Sequence, residues 1–163
     1  MTTQDKINTI KSNLQDAEDT DFQYMSEPVK DLRHYVLYIH SSLEASLEIR
    51  IINHIKKQLP FTPQHTQEKV NFAHNMRVIL NEMDFSKKIK IAQNQGSIPV
   101  NIVGKLHAVN DIRVYFSHPT TYMNKLIEYK DDNKELEAYE ILDVAHQAMN
   151  GLILKENPQW IKK

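Results

Sequence analysis

The chain has 163 residues and 40% hydrophobic content, enough for one domain with a sizeable core. Its three glycines and six prolines, set among many Lys, Glu, Leu, Ile, Asn and Gln, point to an all-α fold rather than a sandwich or barrel. The absence of cysteine excludes disulfides, thiolate catalysis and Cys-based zinc or iron–sulfur sites, and a formal net charge of −1 leaves any nucleic-acid attraction to a local basic surface.

In chain order, Ile7, Ile10, Leu14 and Ala17 recur at helical spacing and predict a short first helix over residues 5–18. With the polar connection after it, this helix forms a peripheral segment, residues 1–27, beside a core bundle expected over residues 28–157 of a single domain. Pro28 suits the first turn of the next helix. Val29, Leu32, Val36, Ile39, Leu43, Leu47, Ile51 and Ile55 then continue to Pro60, which predicts one long central helix of an up-and-down bundle, able to form a dimer face.

Thr62 and Pro63 read as a cap and first-turn pair for a third helix carrying Val70, Ala73, Met76, Ile79, Leu80 and Met83. Asp84 reads as the N-cap of a short helix with Phe85, Ile89 and Ala92, and Gly96 as its left-handed C-cap. The next helix runs from about Pro99 to Ser117. Residues 120–133 read as a loop, with a turn of helix near residues 123–129, in a position to cover His118. Asp132, spaced from Glu135 as in a capping box, starts a last helix that buries Leu136, Tyr139, Leu142, Ala145, Met149 and Leu152. Trp160 is expected to fold back on the bundle. The N-terminus lacks the apolar stretch of a secretion signal, and no apolar run nears the roughly 20 residues a bilayer needs, so a cytoplasmic protein without membrane contact is expected.

The stretch richest in chemistry is residues 106–119, LHAVNDIRVYFSHP. Leu106, Val109, Ile112 and Phe116 form an apolar stripe, which leaves Asn110, Asp111, Arg113 and Ser117 on other faces. Pro119 disfavours helix at the preceding residue, so His118 is expected at a frayed helix exit from which its imidazole can swing toward the Arg113 guanidinium. A permanent cation would then stand beside a group that titrates near neutrality. The bland alternative is a pair of cations complementing a helix dipole.

Other pairings have plainer explanations. Arg33 and His40, seven apart, fit a surface or interface pair, and His107 with Asp111 fits an ordinary bond between residues four apart. Asp31 with His34 and Asp143 with His146 repeat a carboxylate-x-x-His spacing, but di-iron bundles use glutamates and need two more facing inward. Lys87, Lys88 and Lys90 read as a solvated face, able to steer a phosphate backbone if it flanks the cleft, and Tyr35 with Tyr38 as packing rather than base stacking.

Phe85, Lys88, Gly96, Ile98, Leu106, Asn110, Ile112, Arg113, Phe116, His118 and Pro119 together resemble the HEPN superfamily, whose members place an R-x4-6-H motif near the end of a bundle helix. The likeness covers residues 85–119 and, more loosely, the LEASLE stretch at 43–48. It implies an all-helical bundle, commonly a homodimer in which two motifs share a cleft. Many such proteins are metal-independent endoribonucleases of toxin–antitoxin or phage-defence systems, and others are non-catalytic binding modules. On that resemblance Arg113 and His118 are the catalytic pair, with Asn110 one turn before Arg113 to orient the guanidinium or bind the phosphate, and the neighbouring Asp111, Ser117 and Tyr122 are candidates to bind or orient the substrate. No cofactor or metal is required, and the expected partners are RNA, a second copy of the chain and a cognate antitoxin or defence protein. Neutral His118 would take the ribose 2′-OH proton and Arg113 would stabilise charge on the phosphate, leaving a 2′,3′-cyclic phosphate. Val114 stands where many active members carry a polar residue. Thr120 stands where toxins modified by a nucleotidyltransferase carry Tyr, which argues against that partner.

Overall fold

The computed structural model describes residues 1–18, 31–117 and 131–160. Within them the chain is all-α, with helices α1 (Thr3–Glu18), α2 (Leu32–Gln58), α3 (Thr66–Asn81), α4 (Phe85–Gln95), α5 (Val100–Ser117) and α6 (Asp132–Glu156), then a 3-10 turn at Pro158–Trp160. None of the helices is long and apolar enough to cross a membrane. In place of one long helix there are two of similar length, α2 with 27 residues and α6 with 25. The apolar positions of α6 recur through Met149 without an interrupting proline, so nothing stops it before Asn157.

The chain divides into two compact units, Met1–Ser41 with Ala108–Lys163, and Ser42–His107. In the first, α1 starts on a reciprocal cap: Thr2 Oγ1 accepts from the Asp5 N–H at 3.1 Å, and Asp5 Oδ2 accepts from the Thr2 N–H at 2.8 Å. α1 then packs on α6, with Ile7 and Leu14 fully buried. Asp31 caps α2, its Oδ1 accepting from the His34 N–H at 3.0 Å. Leu32, Tyr35, Val36 and Ile39 are buried in this unit, as are Tyr139, Leu142, Ala145 and Met149 of α6. The rings of Tyr35 and Tyr139 meet edge to face at 5.6 Å, and Lys11 Nζ lies 5.3 Å from the Tyr139 ring centroid.

Three expectations about ends are corrected. The cap of α6 is Asp131 rather than Asp132: its side chain accepts from the Asn133 N–H at 3.0 Å, and its carbonyl takes the Glu135 N–H. Thr62 and Pro63 do not open α3. The Thr62 N–H donates to His65 Nδ1 and the His65 N–H to the Thr62 carbonyl, closing a turn that delays the helix to Thr66. Trp160 is 59% exposed rather than folded back.

The second unit buries Leu43, Leu47, Ile51 and Ile52 of α2, Leu80 of α3, Phe85, Ile89 and Ala92 of α4, and Ile98, Ile102, Val103 and Leu106. Asp84 caps α4 through the Lys87 N–H at 2.8 Å, and Gly96 ends it at φ 69°. Arg50 Nε donates to the Ser97 carbonyl at 2.9 Å and pins the turn that follows.

Candidate functional site

Helix α5 separates packing from chemistry along its length. Val109, Ile112 and Phe116 are buried, whereas Asn110 and Arg113 are half-buried and Asp111 and Val114 are exposed. Asn110 and Arg113 are three residues apart, so they are neighbours on the helix surface one turn apart. A carboxamide and a guanidinium in that relation can hold one oxyanion between them, the guanidinium through its two-pronged donor set. His118, Pro119 and Tyr122, with the side chain of Ser117, lie outside the described residues.

The competing pairs have different surroundings. His40 is 4% exposed and buried in α2, whereas Arg33 is exposed. Asp31 is occupied as a helix cap. His146, buried on α6, is bonded through Nε2 to Asn150 Nδ2 at 3.0 Å, and Asp143 Oδ2 accepts from Gln147 at 3.0 Å. Burial holds the His146 imidazole below its ordinary value against the opposing charge of Asp143, so its neutral form is favoured. Among the described residues no group of three or more His, Cys, Asp and Glu is placed to hold a metal. Asp111 is exposed and His107 half-buried on α5.

Lys87 and Lys90 are exposed, as a solvated basic face requires, but Lys88 departs from that expectation. It is 2% exposed, and its Nζ donates to Glu44 Oε1 and Glu48 Oε1. Burial lowers the ammonium pKa, but the two glutamates outweigh it, through hydrogen bonds and charge, and hold it above its ordinary value. The signal was present in the spacing: 85, 88, 89 and 92 are the buried positions of α4, and Lys88 occupies one of them.

No family model, curated protein or solved structure matches the chain.

Proposed function

We propose that the chain is a metal-independent endoribonuclease of toxin–antitoxin or phage-defence type, working through Arg113 and His118 as a HEPN-like homodimer. The observation that carries this reading is the division of α5: Val109, Ile112 and Phe116 are packed, while Asn110 and Arg113 keep part of their surface open one turn apart, immediately upstream of His118. In the proposed reaction His118 takes the proton of the ribose 2′-OH, the 2′ oxygen bonds to phosphorus, and the P–O5′ bond breaks. Arg113, oriented by Asn110, stabilises the charge that gathers on the non-bridging oxygens. A second His118, from another copy of the chain, returns a proton to the leaving 5′ oxygen, so dimerisation is part of the chemistry. Asp111, Ser117 and Tyr122 are the proposed substrate-orienting groups.

The test is incubation of the full chain with total RNA in EDTA beside Arg113→Ala and His118→Ala. The unsubstituted chain is expected to leave 2′,3′-cyclic phosphate ends, and each variant to lose on the order of 10²- to 10⁴-fold in rate. Equal cleavage by all three, or cleavage by none, overturns the proposal. A non-catalytic HEPN-like binding module is the second reading, favoured by Val114, an apolar side chain 41% exposed beside Arg113. RNA bound but left intact by the unsubstituted chain selects it.

A further inference from the structure

Thr66, Lys69, Val70, Ala73, His74 and Arg77 recur along α3 at intervals of three and four, and with Lys56 of α2 they line an open groove of about 560 Å³. All lie within the Ser42–His107 unit. Three permanent cations and an imidazole face this space, and no carboxylate lines it. In a chain with 21 acidic and 20 basic residues that segregation is local. Among the described residues Lys56, Lys69 and Arg77 make no ion pair, whereas Lys88 in the same unit is held by two glutamates. Lys56 and Lys69 are half-buried, their stems covered by the protein while their ammonium heads remain in water at the groove. Ala73, between Lys69 and Arg77 on the same face, leaves the floor of the groove low.

We propose that this groove is a phosphate-binding site, whose ligand is either a single phosphodiester strand or a free polyphosphate. Like charges gathered without counter-charge repel, and an anion in the groove relieves that repulsion at all three positions. Lys69 and Arg77 are two helical turns apart, about 12 Å along the α3 axis at ~1.5 Å per residue. A lone carboxylate meets both, and Lys56 as well, only if three long cationic side chains converge against their own repulsion. Linked phosphates meet them in sequence. Arg77 supplies a two-pronged contact, and Lys56 and Lys69 supply point charges. Arg113 is not among the lining residues, and the site is tested by binding rather than by cleavage.

The probes are a fluorescein-labelled 2′-O-methyl RNA twelve-mer, which lacks the attacking hydroxyl and cannot be cut, and sodium tripolyphosphate. Both are titrated against the full chain in EDTA. For three cations on a single strand, affinity is expected to fall about 20-fold between 50 and 200 mM salt, and only about threefold for a Lys69→Gln/Arg77→Gln variant. That variant, its helicity checked by circular dichroism, should also bind more than tenfold more weakly at 50 mM salt. Lys90→Gln, at an exposed lysine of α4 that does not line the groove, should bind as the unsubstituted chain does. Loss confined to the strand assigns a phosphodiester ligand, and loss confined to tripolyphosphate assigns a free one. Binding of neither probe, equal binding by the double variant, or equal weakening by Lys90→Gln overturns the proposal.

Discussion

Lys88 Nζ lies 2.5 Å from Glu44 Oε1, a bond between residues 44 positions apart that fastens α4 to α2. Glu48 Oε1, one turn further along α2, accepts from the same ammonium at 2.6 Å. A buried cation and its carboxylates gain little over apolar residues of equal size, but removing one side leaves uncompensated charge. Lys88→Met is therefore expected to cost about 3 kcal/mol in urea unfolding. Adding Glu44→Gln and Glu48→Gln should restore more than half of that loss. Additive costs from the three changes would show that the groups act separately.

The same ammonium makes stability depend on alkaline pH. Its folded pKa is raised above the ordinary 10.5, so its contribution is complete below that value and is lost as pH rises through the folded pKa. The gap in Tm between the unsubstituted chain and Lys88→Met should hold steady from pH 8 to 10 and narrow above about 10.5.

On α6, Tyr139 is fully buried, and its hydroxyl has no hydrogen-bond partner among the described residues. Burial, reinforced by the charges of Glu135 and Asp31, pushes the phenol far above its ordinary pKa. A desolvated hydroxyl without a partner is a standing cost of roughly 1 kcal/mol or more. Tyr139→Phe keeps the ring against Tyr35 and Lys11 and is expected to leave stability unchanged or to raise it by about 1 kcal/mol in denaturant titration. A loss larger than that would reveal a partner for the oxygen.

His146 works in the opposite pH range. Its folded pKa is lowered below 6.5 by burial, so the unfolded chain takes up the proton first, and stability falls as pH drops through 6.5 toward the folded value. Between pH 7.5 and pH 5 the unsubstituted chain should lose more Tm than His146→Leu, whose side chain does not titrate. Parallel losses would exclude this imidazole as the source.

Two glycines should respond to alanine with opposite signs. Gly96 has φ 69°, and an added Cβ would meet nothing within 4 Å, so Gly96→Ala loses only the backbone preference, about 1 kcal/mol. Gly104 lies exposed within α5, also with open space around it, and Gly104→Ala should gain about 0.8 kcal/mol through helix propensity alone. Tm measurements on the two variants check both signs.

What could be read from the amino acids alone was whatever a few neighbouring residues settle between themselves. Asp84 and Gly96 delimit α4 because a cap needs only the next turn, and the 106, 109, 112 and 116 stripe of α5 is buried because helical geometry alone aligns it. The start of α3 escaped because Thr62, a sound cap by type, is engaged with His65, and the start of α6 because Asp131 and Asp132 compete for one role. For the candidate site, spacing along one helix is enough to set Asn110 and Arg113 side by side on α5. The pairing of Lys88 with Glu44 and Glu48, and the meeting of Lys56 with Lys69 and Arg77, belong to tertiary structure alone. The helical register of Lys88 marks it as inward-facing, but the register does not say which groups meet a lysine, whether two carboxylates or two other cations. Its charge becomes a fastener or a binding surface only when residues distant in the chain are brought close enough for Coulomb forces and desolvation to act between them.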